Sequence, residues 1–342
     1  MRLSVTPKYF GELKGKMNQV DSLVEGFARK DRRSLAKAIT IVESKRDTDR
    51  ELSAKLLQCL GNPDRETLRI GITGSPGVGK STLIENLGLE LLESDSQICV
   101  LAVDPSSPVG GGSILGDKTR MPQLANDPRA YVRPSPTKDS LGGVAHRTHD
   151  VIKLCEAFGF DIIMVETVGV GQTELAVSSM VDLFFLMLLP QAGDELQGIK
   201  KGVMECADII FINKKDLDPK GSQKLQSQCL SAIDLFRPRW KHWKVPVEQG
   251  SAVESNSLRK LISHFNDFVA IQKKYGSWHE QRKRQQLIWL RRAARHQLLL
   301  CSLENPAHEN AIRALESDFL QSKKTSEEVI KEMLNLVGIS GN

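Results

Sequence analysis

The sequence predicts an α/β protein, with a mostly parallel sheet covered by helices on both faces, a helical segment before it and a helical arm after it. Three observations carry that expectation. Short apolar runs at 68–72, 97–103, 161–166, 181–189 and 208–213 are strand-sized and alternate with stretches of helical period. The first run breaks into a glycine loop that opens directly into a helical pattern. From residue 272 onward strand signals vanish and three helices are expected, at 278–302, 307–322 and 325–337. The organisation read from these changes is 1–66 helical, 67–271 the sheet domain and 272–342 the arm.

The elements follow in order. Residues 1 to 15 read as unstructured. From 20 to 60, Leu23, Val24, Phe27 and then Leu35, Ala38, Ile39 and Val42 recur at helical spacing, with Asp31 and Asp47 placed as helix caps. Gly61-Asn62-Pro63-Asp64 ends that segment. Further expected elements are a helix at 82–93, a short run at 130–133, a helix at 143–158 and a last strand at 244–247. Right-handed crossovers line up the strand C-termini along one edge, where ligands bind in such sheets.

The glycine loop carries the first chemistry. In LRIGITGSPGVGKSTL (68–83), Gly74, Ser75, Pro76, Gly77, Val78, Gly79, Lys80, Ser81 and Thr82 form the pattern GxxxxGK[ST] between a strand and a helix, a phosphate-binding loop in its required context. Gly77 and Gly79 permit a close backbone approach, so that successive N–H groups wrap an anion. The helix start adds its positive dipole end. Lys80 offers a cation for the outer phosphates, and Ser81 a hydroxyl for Mg²⁺. An ordinary glycine turn is the plainer alternative, and a second nucleotide motif decides between them.

That motif is Asn213-Lys214-Lys215-Asp216, directly after a strand run. In an NKxD box the aspartate accepts from the N1–H and exocyclic amine of guanine, the asparagine fixes the loop, and the lysine stem packs along the base. Adenine lacks those donors and would leave a carboxylate unpaired, so GTP or GDP is favoured over ATP. Ser251, Ala252 and Val253 follow the last strand, where a loop could meet the guanine O6 with backbone N–H groups. Glu166-Thr167-Val168-Gly169 also ends a strand, where GTPases usually carry Asp-x-x-Gly. Ser81 with Asp104, Asp117 or Glu166 makes a suitable oxygen set for Mg²⁺. Position alone ranks Asp104 and Glu166 above Asp117. These acids, with Lys80, are the candidate catalytic residues. Val170 stands where many GTPases keep a water-positioning glutamine, and Gln172 lies two residues on, so slow intrinsic hydrolysis that a partner accelerates is expected.

Composition narrows the classes. Forty per cent apolar and 26% charged residues are globular proportions, and the net charge of +5 from 47 basic and 42 acidic residues gives no case for nucleic acid. Six cysteines stand singly, with no CxxC, which argues against zinc and disulfide frameworks and for buried thiols in a reducing compartment. No run of about eighteen apolar residues occurs, so no membrane span is expected. The first twenty residues are basic with Glu12 as their acid, which weakly resembles an organellar presequence; a cytoplasmic location is expected, or the mitochondrial matrix if the chain is eukaryotic. In the arm, Leu287, Leu290, Ala294 and Leu298 form a stripe opposite Arg282, Lys283, Arg284, Arg291, Arg292 and Arg295. The basic set is either a solvated face or a docking surface for an acidic or phosphate-bearing partner.

ETVGVGQTE (166–174), VDPSSPVGGGSILGDKTRM (103–121) and AGDELQGIKKGVME (192–205) resemble the MeaB/ArgK/MMAA family of P-loop GTPases, and the likeness runs over 20–340. The resemblance implies a homodimer of the SIMIBI class that uses GTP and Mg²⁺ to gate adenosylcobalamin loading of an acyl-CoA mutase of the methylmalonyl-CoA type, and to protect or reactivate it. It implies the adenosyltransferase that supplies the cofactor as a further partner. It raises Asp117 into the Mg²⁺ set beside Ser81, Asp104 and Glu166. It makes 105–121 and 166–175 phosphate-sensing switches, 193–205 with Lys200 and Lys201 a partner-facing switch, and the last helices a dimerisation arm. Two alternatives stay open: a kinase passing the terminal phosphate to an acceptor, and a nickel-insertion GTPase, which scattered histidines disfavour.

Overall fold

A computed structural model describes residues 7–44, 46–61, 66–104, 121–136, 141–167, 172–190, 201–301, 305, 308–321 and 323–336. The chain divides into two compact units, residues 1–285 and 286–342.

The first unit is built on a seven-stranded sheet: β1 (Leu68–Gly74), β2 (Ile98–Asp104), β3 (Ala130–Pro136), β4 (Ile162–Thr167), β5 (Leu183–Leu188), β6 (Ile209–Ile212) and β7 (Val247–Gln249). Their order is β3-β2-β4-β1-β5-β6-β7, and every pair is parallel. This is the α/β sheet the sequence predicts. The chain crosses to opposite sides of β1, which puts a ligand crevice beyond the C-terminal ends of the central strands.

A parallel sheet covered on both faces needs apolar side chains on both, so its strands read as unbroken apolar runs. In β5, Phe184, Leu186 and Leu188 enter one core, while Leu183, Phe185 and Met187 enter the other. The first core is closed by α1 (Pro7–Ala28), α2 (Arg32–Glu43), α3 (Asp47–Leu60), α6 (Leu141–Phe158) and α7 (Gln172–Ser178). Between α3 and α6 come α4 (Lys80–Leu92) and the short α5 (Pro122–Asn126). The second core is closed by α4, α5 and α10 (Ser255–Lys274), which follows α8 (Lys201–Cys206) and α9 (Pro219–Ile233). Gly71 in β1 allows one close approach, because a Cβ there would stand 2.9 Å from the side chains of Val177 and Val181.

The N-terminal helices are amphipathic as their period predicts. Leu35, Ala38, Ile39 and Val42 are buried, and Phe27 meets Phe158 edge-on at 5.5 Å. Helix α1 already begins at Pro7, within the stretch expected to be unstructured. Asp31 caps α2, accepting from the N–H groups of Arg33 and Ser34 at 3.1 and 3.0 Å. Asp47 is the first residue of α3 rather than its cap; Arg46 holds the cap position without a side-chain bond.

The sharpest departure concerns α11 (Ser277–Cys301). Its first turns are held to the start of β5 by polar groups. Arg282 donates to Asp182 from Nε at 2.9 Å and Nη2 at 2.7 Å, and also reaches the Thr67 carbonyl. Gln281 and Gln285 donate to the Val181 carbonyl at 3.1 and 2.6 Å. Beside them Arg69 grips Glu156 through two bonds of 2.7 Å. Arg282 is therefore a buried-pair cation and not part of a solvated basic face, since the fully buried Asp182 requires a partner.

In the second unit α11 continues, with Leu287, Leu290 and Leu298 exposed. Helices α12 (Glu309–Leu320) and α13 (Ser326–Leu336) pack together and bury Leu315 and Val329. Thr325 and Glu328 form a reciprocal capping box on α13: Glu328 accepts from Thr325 N at 2.8 Å, and Thr325 Oγ1 from Glu328 N at 3.3 Å.

Replacing Arg282 by Ala leaves the Asp182 carboxylate buried and half-satisfied. We expect a loss of about 3–5 kcal/mol in unfolding free energy, the usual cost of removing one partner of a buried pair. Denaturant unfolding of both proteins checks it, and a change below about 1 kcal/mol would contradict the assignment.

Candidate functional site

The crevice beyond β1 is lined by three loops. In the first, β1 ends at Gly74 and α4 starts at Lys80. Gly77 and Gly79 stand at φ +81° and +96°, a left-handed conformation that strains other residues. Gly79 has a second reason to lack a side chain: a Cβ there would lie 2.6 Å from the Asn213 amide nitrogen. A Cβ at Gly77 would meet nothing within 4 Å, so above this turn the loop faces open space. Gly79 caps α4 without a side-chain bond, which leaves the first-turn N–H groups for an anion. Val78 is fully buried and anchors the loop to the core, whereas Pro76, Gly77 and Thr82 are exposed. Lys80 is buried, and its ammonium donates to the carbonyls of Gly74 and Ser75 at 2.8 and 3.1 Å.

In the second, Ser81 Oγ on α4 donates to Glu166 Oε1 on β4 at 3.1 Å. Glu166 is 9% exposed, at the strand end. The next residue, Thr167, bonds its hydroxyl to that of Thr73 at 2.9 Å and so clamps the ends of β4 and β1 together. A hydroxyl and a carboxylate this close form a hard-oxygen pair of the kind Mg²⁺ takes alongside retained waters. Asp104 is the last residue of β2, which pairs with β4 in the register Ala102↔Glu166 and Val103↔Thr167. Asp117 and residues 168–171 lie outside the described residues, as do 105–120 and 193–200, with Lys200, of the expected switches. Among the described residues no group of three His, Cys, Asp or Glu side chains gathers as a metal cluster.

The third region joins the base-side loops to the phosphate loop. Asn213 is buried at the end of β6; its Nδ2 donates to the Val78 carbonyl at 2.8 Å, and its Oδ1 accepts from Ala252 N at 2.8 Å. Lys214 sits at φ +61° and donates to the Gly77 carbonyl at 3.0 Å. Asp216 is exposed on the same loop. Ser251 and Ala252 are buried, and Val253 is two-thirds exposed.

One residue at this site belongs to none of the sequence motifs. Asn86, on α4, donates from Nδ2 to the Ala252 carbonyl at 2.9 Å. Ala252 is thereby held through its N–H by Asn213 and through its C=O by Asn86. The sequence signal for it is weak: a poor helix former standing in a strong helical run.

The chain is similar to proteins of known sequence and structure over most of its length. A family model described as "Methylmalonyl Co-A mutase-associated GTPase MeaB" matches residues 35–307. The chain is 42% identical to GTPase ArgK of Escherichia coli over 79% of this chain and 82% of that protein. It is 44% identical to the mouse protein "Methylmalonic aciduria type A homolog, mitochondrial", over 79% of this chain and 68% of that protein. Among solved structures, a protein described as "LAO/AO transport system kinase" superposes with a TM-score of 0.73 at 30% identity, covering 94% of this chain and 98% of the other.

Removing the amide of Asn86 frees one side of Ala252. In Asn86→Ala we expect GDP affinity to fall about five- to tenfold, the scale of one lost hydrogen bond of roughly 1 kcal/mol. Titration calorimetry reads this, and an unchanged dissociation constant would show that the Ala252 loop is held without it.

Proposed function

The chain belongs to the MeaB family of methylmalonyl-CoA mutase-associated GTPases, and on that footing we propose that it binds and hydrolyses GTP to control an adenosylcobalamin-dependent acyl-CoA mutase. The observation that carries the nucleotide reading is the pair of hydrogen bonds made by Asn213, which tie the Val78 carbonyl of the phosphate loop to the Ala252 amide of the base-side loop. A nucleotide spanning both loops would meet a single connected frame.

In this reading the backbone N–H groups of the loop 74–82, which Pro76 lacks, receive the phosphates, and the Lys80 ammonium exchanges its two carbonyl partners for phosphate oxygens. Ser81 and Glu166, with Asp104 and Asp117, would hold Mg²⁺, which would supply charge neutralisation at the phosphates. Asp216 accepts from the guanine edge, Lys214 flanks the base, and the Val253 N–H group faces its O6, the Ala252 N–H being held by Asn213. Hydrolysis is slow for want of a water-positioning glutamine after Gly169, and mutase binding accelerates it. The exposed stripe of Leu287, Leu290 and Leu298 supports a homodimer formed through the arm 272–342. The adenosyltransferase is a candidate further partner, and scattered free cysteines suit the cytoplasm.

A second reading follows from the structural relative described as a transport-system kinase. The product separates the two. With terminally labelled GTP and full-length protein, inorganic phosphate supports the GTPase, and label on an acceptor supports the kinase.

Base recognition has its own test. Xanthine carries a carbonyl where guanine carries its exocyclic amine. Asp216→Asn should therefore weaken GDP at least a hundredfold, as two charge-assisted bonds of about 1.5–3 kcal/mol each are lost, and should improve xanthosine diphosphate. Competition binding measures both, and unaltered preference for guanine would remove Asp216 from the site. In single-turnover assays, hydrolysis that is fast alone and unchanged by added mutase would refute the control proposed here.

A further inference from the structure

Away from the crevice, a cleft of about 610 Å³ opens between α8, the end of α9 and the loop that leads into β7. It shares no residue with 74–82, 166, 213–216 or 251–253. The loop reads FRPRWKHWKV (236–245), the densest mixture of cations and indoles in the chain.

The floor is already satisfied. Asp208, fully buried ahead of β6, accepts from Trp240 Nε1 at 2.6 Å, from Arg239 at 3.1 Å and from the Phe184 N–H at 2.8 Å. Trp243 Nε1 donates to the Asp208 carbonyl at 2.8 Å, and both indoles pack edge-on against Phe268. Burial pushes the Asp208 carboxyl up while Arg239 opposes it, so the charge of Arg239 is engaged below the floor. What the floor presents is apolar surface: the indoles with Met204, Ile233, Phe236 and Val245.

The rim is different. Arg237, Lys241 and Lys244 are exposed, and none has an ion-pair partner among the described residues. His242 stacks on Tyr275 at 3.7 Å, a flat polar wall beside them. Apolar floor and cationic rim are the two halves of a site for an organic anion, and the volume lies within the roughly 300–1,000 Å³ of ordinary small-molecule pockets. We propose that this cleft binds a small phosphate ester with a planar apolar body, the body on the indoles and the phosphate among Arg237, Lys241 and Lys244.

A compact ligand is favoured over an extended one by two carboxylates on the same walls. Glu205 and Asp234 also line the cleft, and they would repel an acidic peptide or a nucleic acid running across it. A single phosphate confined to the cationic side avoids them. Because Met204 and Glu205 belong to α8, the ligand would bridge that helix to the 236–245 loop.

The test uses full-length protein with excess GDP, so that the phosphate loop does not take up the probe, which is 1-naphthyl phosphate followed by equilibrium dialysis and tryptophan emission. We expect saturable binding that inorganic phosphate displaces only at higher concentration. Combining Arg237→Ala, Lys241→Ala and Lys244→Ala should weaken it at least tenfold, with GDP affinity and thermal midpoint unchanged. No saturable binding, or binding that the triple variant retains, overturns the proposal. So does tighter binding of an alternating Glu-Leu peptide, which would mark the cleft as a protein-docking face.

Discussion

The two sides of the nucleotide crevice are joined by the carboxamide of Asn213. A primary amide is both donor and acceptor, and here each end meets a different backbone group: Val78 on the phosphate loop and Ala252 on the loop after β7. Neither aspartate nor leucine, which match it in size, could make both bonds. The contact also sets a requirement on its neighbour, since any side chain at Gly79 would strike the same amide. The glycine and the asparagine are thus one constraint written at two places 134 residues apart.

The opposite edge of the sheet follows a different logic. Asp182 is fully buried where β5 begins and accepts from Arg282 and from the Arg69 N–H. Arg69 in turn holds Glu156 of α6. This network ties α6, from the middle of the first unit, and the first turns of α11, from its end, to the sheet through charge as well as apolar contact. Such pairs add little net stability compared with a well-packed apolar substitute. They do fix direction, because a bidentate guanidinium and carboxylate accept only one geometry.

Periodicity made most of the sheet legible. Runs such as 183–189 are apolar at every position and too short for a buried helix, as a strand covered on both faces requires. The GxxxxGK[ST] spacing was equally legible, since a glycine loop between strand and helix is a local feature. Asp47 shows the limit of local reading: an acid at a helix start can be cap or first residue, and one residue of register decides which. Arg282 shows another limit. It stands in a basic set on an amphipathic helix, and nothing local distinguishes it from Lys283 or Arg284.

The order of strands and helices, the phosphate-type loop and the apolar faces are all written in the chain itself, because each depends on residues a few positions apart. Three-dimensional packing was needed to bring Asn86 to Ala252, Thr73 to Thr167, and Arg282 inward to Asp182. Those pairings join residues roughly 100 or more positions apart along the chain, where no periodicity reaches and the folded sheet alone brings the groups together.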